Sequence, residues 1–259
     1  MKAVILAGGL GSRLSEETIS KPKPMIEVGG IPILVHIMNI YSNFGVDEFI
    51  ICMGYKKEVI IDYFTNYSFR TSQVLNINLA TGIVEKESAK NKSWKIKLVD
   101  TGENTMVGGR IKRILPFVEG ENYFHLTYGD GLADVNLNDL VKEHVINNKR
   151  VTLTAVQPEG RFGSLDIDNN SVKNFIEKPI GDGGWVNGGF FVINPNGINE
   201  IISGDETVWE DQPLKQLAKE GELGCYKHSG FWKPMDTLRD KVQLEELWSS
   251  NNAPWVYTK

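Results

Sequence analysis

Along this chain, short runs of consecutive apolar residues alternate with stretches whose apolar positions recur at helical spacing. Residues 2–6 (KAVIL) are one such run, ended by Ala7, Gly8 and Gly9, and predict a buried parallel strand entering a glycine-rich loop of about a dozen residues. After Pro32, ILVHIMNIYSNFG spaces its apolar residues as a helix does and stops at Gly45; DEFIICM then predicts a second strand. Strand, loop, helix, strand in that order predicts a right-handed βαβ unit, and with it a parallel sheet covered by helices.

The alternation continues with a strand over 123–128 (YFHLTY) ending at Gly129-Asp130, a helix over 136–148 and a strand over 151–156 (VTLTAV). Between about 72 and 101, and again between 162 and 193, alternating strands (VLNINL, KIKLV, GSLDID, VKNFIE, GGFFVI) replace helices and read as antiparallel additions at the edge or mouth of the sheet, placed to form a lid. From 195 onward two short helical stretches, a strand pair around 223–234 and a final helix over 237–249 complete the pattern. The apolar tail APWVYTK is left to dock somewhere, a neighbouring subunit included. The expected class is α/β: a Rossmann-like, mostly parallel mixed sheet with helices on both faces, plus antiparallel strand additions. No internal repeat or low-complexity linker interrupts it.

Composition narrows the classes. At 259 residues one main core with elaborations is expected, and 41% hydrophobic with 24% charged residues is ordinary globular usage. A net charge of −5 argues against a polyanionic nucleic-acid partner, so any phosphate ligand needs a local positive site. Cys52 and Cys225 are too few and too far apart for a disulfide framework or zinc knuckle, which fits a reducing compartment. The start MKAVILAGGLG makes a poor signal peptide and is too short for a membrane span, so a cytosolic location is expected.

The local positive site has a candidate. Leu6-Ala7-Gly8-Gly9-Leu10-Gly11-Ser12-Arg13 follows a strand directly, so its N–H groups can face a phosphate with no Cβ intervening. The dinucleotide fingerprint wants glycine where Leu14 stands, and the P-loop wants Gly-Lys-Ser/Thr, so both fail. Downstream, Lys21-Pro22-Lys23-Pro24-Met25 is expected to project two cations from a proline-stiffened, extended segment. Asp130, bracketed by Gly129 and Gly131, falls at the carboxyl end of a strand, where open α/β sheets bind ligands, although Gly-Asp-Gly is also ordinary turn composition. Asp236 can equally cap the helix beginning at 237. His36, His125, His144 and His228 are scattered with no metal or triad spacing and read as structural.

Taken together, AGGLGSRL, KPKPM, GDG at 129–131, EKP at 177–179, VNGG at 186–189 and Trp232-Lys-Pro-Met-Asp236 resemble the sugar-phosphate nucleotidyltransferase family nearly end to end, and most closely its branch acting on CTP and glucose 1-phosphate. Ser12 replaces the threonine more usual in the family, keeping the hydroxyl. The resemblance implies the nucleotide-diphospho-sugar transferase fold and Mg²⁺-dependent cytidylyl transfer to glucose 1-phosphate in nucleotide-sugar supply for surface polysaccharide, by a homo-oligomer. It implies a nucleotide-binding set of Leu6, Ala7, Gly8, Gly9, Leu10, Gly11, Ser12, Arg13, Lys23, Thr105, Gly109, Arg110, Tyr128 and Gly129. Glu177, Lys178, Asn187 and Gly188 are implied at the sugar phosphate, Asp130 and Asp236 as the metal pair, and Arg13, Lys23, Asp130, Lys178 and Asp236 as the catalytic set. Lys112 and Arg113 are read as a solvated helix face. Residues 1–130 are assigned mainly to the nucleotide, 131–240 mainly to the sugar phosphate, and 241–259 to a C-terminal helix and tail of one domain.

Other readings stay open at this level. Thymidylyl or uridylyl transfer is the main rival, a non-catalytic subunit of the same fold would lack the Arg13, Lys23, Asp130 and Lys178 set, and a dinucleotide-dependent oxidoreductase is disfavoured by Leu14.

Overall fold

In the computed structural model residues 1–11, 14–87, 92–158, 160, 163–177, 180 and 184–257 are described, with the side chains of all but residues 15 and 16. The strands are β1 (Lys2–Leu6), β2 (Glu27–Val28), β3 (Ile31–Pro32), β4 (Glu48–Met53), β5 (Val74–Asn78), β6 (Ile83–Glu87), β7 (Lys95–Asp100), β8 (Phe124–Tyr128), β9 (Gly131–Ala133), β10 (Val151–Val156), β11 (Ser164–Asp168), β12 (Ser171–Ile176), β13 (Val186–Ile193), β14 (Leu223–His228) and β15 (Trp232–Pro234). The α-helices are α1 (Ser15–Thr18), α2 (Ile33–Asn43), α3 (Lys57–Thr65), α4 (Tyr67–Arg70), α5 (Val107–Val118), α6 (Leu137–Asn147), α7 (Gln212–Lys219) and α8 (Leu238–Ser249).

A seven-stranded sheet runs in the order β14-β10-β13-β8-β1-β4-β7. β1 pairs in parallel with both β4 and β8, so that Ala3 faces Phe49 on one side and His125 on the other. β4 with β7 and β10 with β14 are also parallel, while β13 is antiparallel to both of its neighbours, β8 and β10. The apolar runs are explained by what covers them. Ala3 and Ile5 of β1 and Phe49 and Ile51 of β4 enter one core with α2, Leu137 and Leu140 of α6 and Leu244 of α8. Val4, Leu6, Ile50 and Cys52 point the opposite way, into a second core with Ile111, Ile114 and Val118 of α5 and Leu214 and Leu217 of α7. A strand buried on both faces must be apolar at every position, each such side chain contributing roughly 1.5–3 kcal/mol of burial.

The helix ends follow from local chemistry. α2 gives way at Phe44 to Gly45, whose φ of 82° reverses the chain toward β4. Asn136 caps α6 by accepting from the N–H groups of Asn138 and Asp139, and Thr237 forms a capping box with Asp240 at the start of α8. No helix among the described residues is long and apolar enough to cross a membrane.

Three placements differ from the pattern reading. KIKLV is not an antiparallel addition: as β7 it continues the parallel sheet beyond β4, its alternation reflecting an edge position. GGFFVI lies in β13 inside the main sheet between β8 and β10, whereas VLNINL, GSLDID and VKNFIE do form separate antiparallel hairpins, β5–β6 and β11–β12. The two strands within 223–234 do not pair with each other; β14 joins β10, and β15 pairs antiparallel with β9.

The C-terminal tail folds back on its own chain. Trp255 is 2% exposed, donates from Nε1 to His36 Nδ1 at 3.2 Å and stacks on Phe231, while the Tyr257 hydroxyl donates to the Val135 carbonyl at 3.0 Å. Trp255→Ala should therefore lower unfolding free energy by about 3–5 kcal/mol in urea titrations; an unchanged midpoint would show that the tail does not belong to the core.

Candidate active site

β1 leads off toward β4 on one side and is bounded by β8 on the other, so the carboxyl ends of these strands open a crevice of the kind in which α/β sheets hold ligands. Leu6, Gly8, Gly9 and Gly11 from the loop after β1, Tyr128, Gly129 and Asp130 from the end of β8, Lys23 with Pro24, and Thr105, Met106, Val107 and Arg110 line one cleft of about 320 Å³. Gly9 faces open space, with nothing within 4 Å of where a Cβ would stand. Ala7 and Leu10 are not in this lining: Ala7 is buried with its N–H on the Cys52 carbonyl, and Leu10 is exposed.

The pairing of β9 with β15 brings the two aspartates together. Pro234 lies opposite Gly131, and the Met235 N–H donates to the Asp130 carbonyl at 2.8 Å, which sets Asp236 beside Asp130. Thr237, not Asp236, caps α8. Lys23 Nζ then donates to Asp130 Oδ2 and Asp236 Oδ1, each at 2.7 Å, with its side chain 12% exposed. Burial works against the charge of this ammonium, but the two carboxylates outweigh it and hold its pKa above the ordinary lysine value.

The segment carrying Lys23 is not extended throughout. Pro22 is, at ψ 153°, but Lys23–Met25 forms a 3₁₀ turn closed by the Met25 N–H on the Pro22 carbonyl at 2.8 Å. The turn's hydrogen bonds override the pre-proline preference, so that Lys21 lies beside Glu27 at 3.6 Å whereas Lys23 enters the cleft.

Arg110, on the first turn of α5, is buried against its own protein. Nη1 donates to the Thr101 hydroxyl at 2.7 Å and the carbonyls of Gly102 at 2.8 Å and Met53 at 3.2 Å; Nη2 donates to the carbonyls of Gly8 at 2.9 Å and Glu103 at 3.2 Å. One guanidinium thus ties together the loops that follow β1, β4 and β7. A Cβ on Gly8 would come within 2.0 Å of Nη1, which is why that position is glycine. Gly109 is not at the cleft wall; a Cβ there would meet the Asp205 backbone at 2.7 Å. Nor do Lys112 and Arg113 form a freely solvated face, since Lys112 donates to the Ile202 carbonyl at 2.9 Å and Arg113 to Thr101 and Asp205.

On the far side of Tyr128, Asn187 Nδ2 reaches the tyrosine hydroxyl at 3.3 Å, and the Gly188 carbonyl accepts from Trp232 Nε1 at 2.8 Å. Glu177 follows β12 and is exposed. Ser12, Arg13 and Lys178 lie outside the described residues. None of the histidines lines the cleft: His36 bonds the Val28 carbonyl, His144 the Thr152 hydroxyl and His228 the Phe231 carbonyl, and burial takes the pKa of His125 down to about 3. The apolar wall of Pro24, Met106 and Val107 went unmarked although each adjoins a recognised motif, and nothing in the sequence marked Glu210, whose carboxylate accepts a hydrogen bond from the Tyr128 hydroxyl.

The architecture is that of an α/β protein with a glycine loop at the carboxyl ends of parallel strands. Residues 2–233 match the nucleotidyl transferase family, and the chain belongs to that family. It is 53% identical over 255 residues to the glucose-1-phosphate cytidylyltransferase of Salmonella typhi, covering 98% of each chain. Among solved structures it is similar to HddC from Yersinia pseudotuberculosis, with a TM-score of 0.70 at 24% identity over 95% of this chain and 99% of that one. It is also similar to a UDP-glucose pyrophosphorylase complexed with UDP-glucose, with a TM-score of 0.67 at 17% identity over 96% and 98%. The two structural likenesses speak to the fold.

Lys23→Met would leave two carboxylates facing each other, and should lower stability by about 3–5 kcal/mol. Lys23→Met with Asp236→Asn should recover part of that loss. Urea titrations of the single and double variants check this, and a double variant no more stable than Lys23→Met would contradict the trio.

Proposed function

We propose that this chain transfers a cytidylyl group from CTP to α-D-glucose 1-phosphate, giving CDP-glucose and pyrophosphate. The observation that carries the reading is the end-to-end similarity to the Salmonella typhi cytidylyltransferase. It is supported by Lys23 and Asp130, which line one cleft, with Asp236 bonded to the same Lys23 ammonium. The reaction is attack by a sugar-phosphate oxygen on the α-phosphorus, in line with departing pyrophosphate; the P–O bond to pyrophosphate breaks as the new one forms. The attacking oxygen is already ionised at neutral pH, so no general base is required, and the protein's task is positioning and charge neutralisation.

The roles follow from that task. N–H groups of the Gly8–Gly11 loop and Arg13 hold the β- and γ-phosphates, Lys23 meets the α-phosphate, Lys178 holds the sugar phosphate, and Glu177, Asn187 and Gly188 meet the sugar. Thr105, Arg110, Met106 and Val107 form the wall beside the base. Residues 1–130 thereby serve mainly the nucleotide, 131–240 mainly the sugar phosphate, and 241–259 close the single domain.

Asp130 and Asp236 fit a divalent ion, because their hard oxygens already meet one cation from two sides at 2.7 Å. When bound, Mg²⁺ supplies charge neutralisation and orientation of phosphate oxygens. The chain works in the cytoplasm, away from nucleic acid and membrane, in nucleotide-sugar supply for surface polysaccharide. It works as a homo-oligomer, supported by the exposed apolar residues Leu75, Ile77 and Leu79 around β5 and Ile167, Val172 and Phe175 on β11–β12. Light scattering after gel filtration should give a multiple of 29.0 kDa, and a monomer mass would refute the assembly.

Incubation with glucose 1-phosphate, Mg²⁺ and each triphosphate in turn, read by pyrophosphate release, should favour CTP. Turnover with dTTP or UTP alone would keep the class and overturn the nucleotide. Asp130→Asn and Asp236→Asn should each lower kcat by about 10²-fold or more with circular dichroism unchanged, and excess chelator should abolish turnover. Undiminished turnover in either variant would remove that aspartate from the site.

A further inference from the structure

Tyr128 is held by contacts to both its ring and its hydroxyl. Its ring stands edge-on against Phe191, the centroids 5.9 Å apart at 84°. Gly189, two residues earlier than Phe191 on β13, also lies against the ring: at φ 80°, a Cβ there would fall 2.4 Å from it. The hydroxyl donates its one proton to the Glu210 carboxylate, so it meets Asn187 Nδ2, at 3.3 Å, purely as an acceptor. Asn187 Oδ1 in turn accepts from the Gly189 N–H at 2.9 Å. These contacts settle which end of the Asn187 amide is which: the oxygen is held by backbone, and the NH₂ group faces the tyrosine with a second N–H that has no partner among the described residues. The chain is anchored next to Glu210 by Trp209, which is fully buried and packs edge-on against Phe191 at 6.5 Å.

We propose that Glu210 is a positioning residue for the sugar phosphate: by taking the Tyr128 proton, it locks the Asn187 amide with its remaining N–H offered to an acceptor oxygen of the sugar. Glu210 lies outside the cleft lining and acts through Tyr128. The inference rests on the reading of the reaction given above. It deepens that reading by requiring that the sugar oxygen at Asn187 accept a hydrogen bond, as a hydroxyl lone pair does.

The test is steady-state kinetics in both substrates for the wild type, E210A, E210Q, Y128F and the Y128F/E210A double variant. Because Glu210 stays in contact with solvent, E210A should raise the KM for glucose 1-phosphate about five- to tenfold, at the lower end for a bond to a charged group. The KM for CTP should stay within about twofold. E210Q retains a carbonyl acceptor and should recover most of the loss, and the double variant should match Y128F, since both changes remove one link. E210A with wild-type constants, a loss shared equally by CTP, no rescue in E210Q, or an additive double variant would each overturn the proposal. Wild type run alongside separates the two levels. Failure of wild type to make CDP-glucose overturns the reaction and this inference with it, whereas a working wild type indistinguishable from E210A overturns the inference alone.

Discussion

The ammonium of Lys23 between the carboxylates of Asp130 and Asp236 is the contact on which the site depends. It joins residues 107 and 213 positions apart, and it is forced by backbone: the β9–β15 ladder sets the two aspartates side by side whether or not a cation stands between them. Two carboxylates so placed repel, and a cation between them turns the repulsion into attraction. The arrangement fixes the relation of three segments that otherwise share little, namely the turn after the glycine loop, the end of β8 and the approach to α8.

Arg110 does the corresponding work on the other wall. A guanidinium offers a planar fork of donors, and here Nη1 and Nη2 reach carbonyls and a hydroxyl at the carboxyl ends of β1, β4 and β7, so that the glycine loop is held from behind. Gly8 is drawn close enough to the guanidinium that any side chain would collide with it. Lys23 and Arg110 therefore divide the cleft between them. One organises the face where carboxylates gather, and the other stiffens the face where N–H groups are presented.

How much of this could be read from sequence depends on where the information lies. β1 and β4 were legible because double-faced burial writes itself as a nearly unbroken apolar run, α2 because its apolar residues recur at helical spacing, and β8 because a mostly apolar run ends at Gly129-Asp130. The position of β13 was not, because GGFFVI reads as antiparallel whether it lies inside or beside the main sheet and only its partners decide. β7 misled for a related reason, since its alternation is that of any strand with one covered face. At the site, the glycine loop and Asp130 were marked by their positions after apolar strands. Gly109 and Arg110 were marked only by resemblance, and composition cannot tell a glycine that faces a ligand from one pressed against Asp205. Asp236 was ambiguous until Thr237 took the cap. Glu210 left no sign, because its role exists only through the tyrosine proton it accepts.

An acidic protein built to hold two polyanions must place its positive charge with care. Arg110 turns Nη1 and Nη2 on carbonyls and the Thr101 hydroxyl of its own protein, and one ammonium against two carboxylates leaves the Lys23 trio one charge negative. Neither wall, as it stands, is a strong attractor of phosphate. In the proposed reaction that attraction is assigned to Arg13 and Lys178 and to a divalent counter-ion for the aspartates. The glycine loop then adds N–H dipoles, which favour anions without adding a net charge that would have to be neutralised when the cleft is empty. The cleft can thus be stable without substrate and still bind two reactants that repel each other, because its charges are arranged in compensating pairs that substrate phosphates can rearrange.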